Sequence, residues 1–220
     1  MRLNKYIALS TGLSRRAADD AIYRNRVTVN GGTPSVGQQI GDGDSVTLDG
    51  AAITPPVNTL TVILNKPVGY VCSREGQGNR TLYDLLPPEL AILKPVGRLD
   101  KDSSGLILLT NDGALAQELT HPKYQKTKVY QVKLDKPLAP LHRQMIIDHG
   151  ISLPDGVSKL QLDRTREGND LAWNVTMHEG RNRQIRRTFG ALGYEVTSLH
   201  RTVFGSYQLG NLASGEYRKI

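Results

Sequence analysis

One stretch of this 220-residue chain resists being crossed by any continuous helix: Gly50 to Leu60, GAAITPPVNTL, which carries no charge and contains the pair Pro55-Pro56. Adjacent prolines lack amide donors and hold φ at about −65°, so the stretch favours an extended spacer. The sequence therefore divides into residues 1–49, a linker at 50–59 and residues 60–220. With 38% apolar content over its whole length, the chain is long enough to bury a sizeable core.

Charge is distributed unevenly across that division. The chain has 28 Lys plus Arg against 21 Asp plus Glu, a net charge of +7, which points towards a polyanionic partner. Residues 1–30 hold Arg2, Lys5, Arg15, Arg16, Arg24 and Arg26 against Asp19 and Asp20, whereas residues 31–58 hold only Asp42, Asp44 and Asp49. Cys72 is the single cysteine, which excludes an intramolecular disulfide and a Cys-based zinc cage and fits a reducing, cytoplasmic setting. His121, His142, His149, His178 and His200 have no close ligand spacing, so no metal site is expected. The opening MRLNKYIALSTGLSRR lacks the apolar core of a secretion signal, and no run approaches the roughly 20 apolar residues of a membrane span.

The first block reads as helix, helix, then short strands. Leu3, Tyr6 and Ile7 have helical spacing; Ser14 is a candidate N-cap for a second helix whose stripe is Ala17, Ala18, Ala21 and Ile22. Val27 to Val29 is a strand ending at Asn30-Gly31-Gly32, and Ser45 to Leu48 is another. In the second block, strands are expected at 61–65, 106–110, 128–134, 172–177 and 195–199, with helices at 114–119 and 182–192. This is a mixed α and β domain in which strands predominate.

Three segments carry chemistry. Gly97-Arg98-Leu99-Asp100-Lys101-Asp102-Ser103-Ser104-Gly105 crowds two carboxylates, two hydroxyls and two cations ahead of the apolar run LILL, as in a shaped loop at a sheet edge. A calcium loop is one alternative, since Asp100-x-Asp102-x-Ser104-Gly105 has the opening spacing; its twelfth position, however, is Asn111 where a bidentate Glu belongs. Paired carboxylates of a glycosidase are another, and spacing alone leaves that open. In Lys126 to Leu134, strict alternation puts Tyr130, Val132 and Leu134 on one face, so the Tyr130 ring is either an ordinary core residue or a buried phenol at a site. Glu179 to Arg187, EGRNRQIRR, gathers Arg181, Arg183, Arg186 and Arg187 on a helix whose apolar stripe is Ile185, Phe189 and Leu192. Its arginines suit solvent, phosphates or acidic side chains.

Taken in order, RLNKYIALSTGLSRRAADDAIYRNRVTVNG, LNKPVGYV, VGRLDKDSSGLILLTNDG, HPKYQKTKVYQV and EGRNRQIRR resemble the bacterial rRNA pseudouridine synthases of the small-ribosomal-subunit synthase type, across almost the whole chain. The resemblance implies an α+β protein: a small S4-like RNA-binding domain joined to a mixed, mainly antiparallel sheet with flanking helices and a central cleft. It implies isomerisation of uridine to pseudouridine in ribosomal RNA, with base flipping and without cofactor or metal. By motif, Asp100 of GRLD is the catalytic aspartate, Tyr130 packs against the target base, Arg186 pairs with the aspartate, and Arg98 fills the space that the flipped base leaves. RNA contacts are expected from Arg2, Lys5, Arg15, Arg16, Arg24 and Arg26, and from Arg181, Arg183 and Arg187. The expected partner is a structured rRNA stem-loop or an assembly intermediate, bound by a monomer with no obligate protein partner. The wording of HPKYQKTKVY and EGRNRQIRR is closer to large-subunit members, which points to 23S rRNA; 16S rRNA or tRNA targets and a non-catalytic ribosome-assembly factor are the alternatives.

Overall fold

A computed structural model describes residues 1–56 and 58–220 and divides into two compact units. The first comprises Met1–Thr61, Pro87–Lys94 and Thr110–Asp112; the second comprises Val62–Leu86, Pro95–Leu109 and Gly113–Ile220. Val57 of the linker lies outside the described residues.

In the first unit, α1 (Leu3–Thr11) stops at Gly12, whose φ of +76° a residue with a Cβ rarely adopts. The next helix, α2 (Arg15–Tyr23), begins where Ser14 accepts from the Ala17 amide at 3.0 Å. Asn4 ties the two helices by donating to both Asp19 carboxylate oxygens, at 2.9 and 3.0 Å. Leu3, Ile7, Ala18, Ala21 and Ile22 bury their apolar stripe against β1 (Val27–Val29) and β2 (Val46–Leu48). A third strand, β3 (Ala51–Ala52), pairs with β2, so the first residues of the expected spacer extend this sheet.

A nine-stranded sheet supplies the rest of the frame. Its strands are β4 (Thr61–Lys66), β5 (Lys94–Val96), β6 (Ser104–Thr110), β7 (Lys128–Leu134), β10 (Gln161–Arg164), β11 (Ala172–Met177), β12 (Val196–Phe204), β13 (Tyr207–Gln208) and β14 (Tyr217–Lys219). The intervening β8 (Ile151–Leu153) and β9 (Gly156–Ser158) form a separate hairpin. The long path runs β10-β11-β7-β12-β6-β4-β14; β12 is antiparallel to β7 but parallel to β6. The apolar run of β6 is buried almost throughout, as expected of a strand covered on both faces. Leu119 of α3 (Gly113–Thr120) packs over Leu106, Leu108, Val96 and Phe204. Two further helices are α4 (Pro140–Gln144) and α5 (Gln184–Gly190). The fold is thus α+β with a mainly antiparallel sheet, as the resemblance implies.

Several predicted elements shift by one or two residues at an end, and two differ for reasons that bear on the site. The strand expected to end at Leu199 continues to Phe204, because the polar His200 and Arg201 find partners within the sheet: His200 Nδ1 lies 2.9 Å from Ser104 Oγ and Arg201 Nε donates to Leu106 O at 2.8 Å. The helix expected from residue 182 starts at Gln184, because Arg183 adopts a left-handed conformation with φ +46°.

Candidate active site

The segment holding Asp100 is a loop shaped at both ends by glycine. Gly97 has φ +71° and Gly105 has φ +104°. At Gly105 a side chain has no room: an ideal Cβ would stand 2.3 Å from Arg201 O and 2.6 Å from Arg201 N on the neighbouring parallel strand. Only glycine allows β6 and β12 to approach this closely just after the loop.

Residues 66–72 hold the loop from one side. Lys66 Nζ donates to Ser103 O at 2.6 Å and Pro67 O at 2.9 Å, and Gly69 N donates to Lys101 O at 2.7 Å. Cys72 Sγ lies 3.3 Å from both Leu99 N and Leu99 O, accepting from one and donating to the other. Lys66 is fully buried, and desolvation draws its pKa below the ordinary amine value despite the nearby charges of Asp100 and Asp102. Burial likewise pushes the Cys72 thiol up.

Arginines hold the loop from the other side. Arg183, in its left-handed conformation just before α5, meets Asp102 through Nη1–Oδ1 at 3.0 Å and Nη2–Oδ2 at 2.9 Å, and its Nη1 also lies 3.4 Å from Asp100 Oδ2. The bidentate bond with Arg183 holds the Asp102 carboxyl below the usual carboxylate range and raises the guanidinium in return. Arg186 donates Nη1 to Val196 O at 2.6 Å and Nη2 to Asp102 O at 2.8 Å, with Nε 3.3 Å from Asp102 Oδ2. The arginine paired with Asp100 is therefore Arg183, while Arg186 braces the backbone two residues further on. The displacement follows from where α5 begins: with Arg183 turned out of the helix, its guanidinium faces the carboxylates first.

Asp100 opens into a cleft of about 960 Å³, which Arg98 and Tyr130 also line. Tyr130 sits on β7 between Val175 of β11 and Arg201 of β12. It is 8% exposed, on the buried face that alternation predicts, and its hydroxyl bonds to no other described residue. Arg201 is 2% exposed and also lines the cleft; beyond its bond to Leu106 O, its Nη2 has no partner among the described residues and its guanidinium stands 4.7 Å from the Phe204 ring centre. On the other cleft-lining residue near that ring, Lys128, burial and then the Arg201 charge lower the amine pKa. Lys128 and Arg201 thus bring two basic side chains to the lining of the cleft that Asp100 shares.

The remaining candidates fall into two groups. Arg181 bonds to the carbonyls of Asp155, Gly156 and Val157 at 2.9 Å each, and Arg187 forms a bidentate pair with Asp155 at 3.0 and 2.7 Å. In this structure these two, which the sequence nominates for RNA contact, fasten α5 to the β8–β9 turn. In the first unit all six basic candidates are exposed. Arg24 pairs with Asp20, Arg26 makes a bidentate pair with Asp49 and Arg15 bonds to Asn4, whereas the Arg2, Lys5 and Arg16 side chains have no partner among the described residues.

Sequence reasoning passed over Lys66, Cys72, Lys128 and Arg201. A usable signal exists for Lys66, the one cation of a largely apolar strand, TVILNK, that is buried at every position; Arg201, in the mixed run LHRTVF, carries no such signal. Among the described residues there is no group of three side chains suited to a metal ion, and no helix is long and apolar enough to cross a membrane.

A family model described as RNA pseudouridylate synthase matches residues 60–191. The chain is 37% identical over 223 residues to the ribosomal small subunit pseudouridine synthase A of Pasteurella multocida, covering all of this chain and 96% of the relative. It is 34% identical over 226 residues to the ribosomal large subunit pseudouridine synthase B of Bacillus subtilis, covering all of this chain and 91% of that one. A crystal structure of a pseudouridylate synthase superposes with a TM-score of 0.71 at 34% identity, covering 100% of this chain and 96% of the other.

Proposed function

Because the chain belongs to the RNA pseudouridylate synthase family, we propose that it isomerises uridine to pseudouridine at a defined position in ribosomal RNA, with Asp100 as the reacting group. The observation that carries the assignment of Asp100 is its position: a carboxylate facing the cleft that Tyr130 lines, on a loop gripped from both sides. The reaction breaks the N1–C1′ bond, turns the uracil and joins C5 to C1′; the hydrogen on C5 leaves and N1 gains one, so no redox change or energy input is needed. An ionised Asp100 serves either by bonding to C1′ as the uracil leaves or by taking the proton from C2′. Arg183 is its counter-ion, and Arg186 keeps the loop in place.

A stacked base hides its sugar junction, so the target nucleotide is flipped into the cleft, at a few kcal/mol that phosphate and pocket contacts offset. Tyr130 then packs against the uracil, and Arg98 fills the vacated place in the RNA. Residues 1–49 act as an S4-like docking module; the exposed, unpartnered Arg2, Lys5 and Arg16 support that role. We assign the target to 23S rRNA from the character of HPKYQKTKVY and EGRNRQIRR, and read the enzyme as a cytoplasmic monomer acting without an obligate protein partner.

Incubating the protein with unmodified 16S and 23S rRNA and mapping pseudouridine tests the proposal. New pseudouridine at one position of 23S rRNA is expected. Tight rRNA binding with no conversion would overturn the catalytic reading in favour of an assembly factor, and conversion confined to 16S rRNA would overturn the target.

A further inference from the structure

The rim of the cleft carries an aromatic ring that the reaction does not use. Tyr124 is 43% exposed, unlike the buried Tyr130. The turn presenting it is stiff: Pro122 fixes one end, His121 Nδ1 accepts from the Lys123 amide at 3.3 Å, and Gln125 takes a left-handed conformation with φ +43°. The His121 ring supports Tyr124 edge-on, with centroids 6.1 Å apart at 70°. Lys123 Nζ stands 4.6 Å and Lys126 Nζ 5.8 Å from the ring centre, the second also bonded to Glu118 at 2.6 Å. The flanking His121, Pro122, Gln125 and Lys126 all line the cleft that holds Asp100.

We propose that Tyr124 is a stacking platform for an unpaired nucleobase beside the target uridine, with Lys123 and Lys126 taking the adjoining phosphates. An exposed ring ordered in advance, with two lysines beside it, matches what single-stranded RNA requires: a flat apolar face for the base and positive charge for its backbone. Flipping a uridine also unstacks its neighbours, so the complex leaves a base without a partner at the mouth of the cleft. The inference rests on the reading of the cleft as an RNA-modifying site.

Two variants test it on the full-length protein. Tyr124→Ala should raise KM for unmodified rRNA by about five- to a hundredfold, the range for losing one base–aromatic stack, while kcat at saturating RNA stays within about twofold. Tyr124→Trp should keep the wild-type KM and should lose fluorescence when a short oligouridylate is added, the buried Trp173 giving a constant background. A wild-type KM in Tyr124→Ala, or unquenched fluorescence in Tyr124→Trp, would overturn the platform. Failure of the wild type to form pseudouridine would instead overturn the functional reading on which it rests.

Discussion

Cys72 grips the peptide of Leu99 at both its amide and its carbonyl, each 3.3 Å from the sulfur, one residue before Asp100. A side chain to which the proposed reaction gives no part is thereby tied to the backbone that carries the proposed reacting group. Cys72→Ala should lower stability by about 1–2 kcal/mol in urea unfolding, from the lost contacts and the small void. It should also lower kcat severalfold with KM little changed. Because the thiol is 9% exposed and burial pushes its pKa up, alkylation of the native protein by N-ethylmaleimide should be slow until it is unfolded.

Replacing the proposed reacting group separates chemistry from binding. Asp100→Asn should cut pseudouridine formation at least about a hundredfold, the scale of a lost acid–base or nucleophilic group, while rRNA affinity in a filter-binding assay stays near wild type. Conversion at the wild-type rate would remove Asp100 from its assigned role.

The loop's ionic clamp has a defined pH window. The Asp102 carboxyl sits below its ordinary value because it bonds to Arg183, so its stabilising contribution is complete above about pH 4 and is lost as pH falls through the lower folded-state value. With 47% of its side chain exposed, the contribution is small and screened by salt. Thermal melts from pH 7 down to pH 3 should show a steeper fall for the wild type than for Asp102→Asn. Parallel curves would show that the pair adds nothing.

At Gly105 the expected effect is structural. A methyl there collides with Arg201 backbone atoms and also strains a φ of +104°, so Gly105→Ala should destabilise the protein by more than the roughly 1–3 kcal/mol of backbone strain alone. Denaturant unfolding would detect this as a lowered midpoint.

The first block's role is open to electrostatic measurement. Lys5 and Arg16 are exposed and bond to no described side chain, so Lys5→Ala with Arg16→Ala should flatten the dependence of log Kd on log salt by roughly 1–2, with kcat at saturation preserved. An unchanged slope would place the RNA elsewhere.

What could be read in advance depended on how locally each element is determined. The alternation of β7 predicted its limits and its buried face, and Ser14 caps α2 as its position before the apolar stripe suggested. The Gly97–Gly105 loop was legible because glycine at each end and a buried strand behind it are local signals. The fate of the arginines was not. Asp155, the partner of Arg181 and Arg187, lies 26 and 32 residues away on a hairpin turn that periodicity alone left unread. Arg183 turned out to face Asp100 because it leaves the helical conformation, which no spacing rule anticipates.

The parallel seam between β6 and β12 also sets when the protein can become active. Ser104 and His200 are 96 residues apart in sequence, and Asn65 bonds to Leu212 O across 147. Closing such distances is the slow, late part of folding. The cleft cannot form on a nascent chain until the ribosome has released the segment through Phe204, so whatever the site does must wait for β12 to emerge.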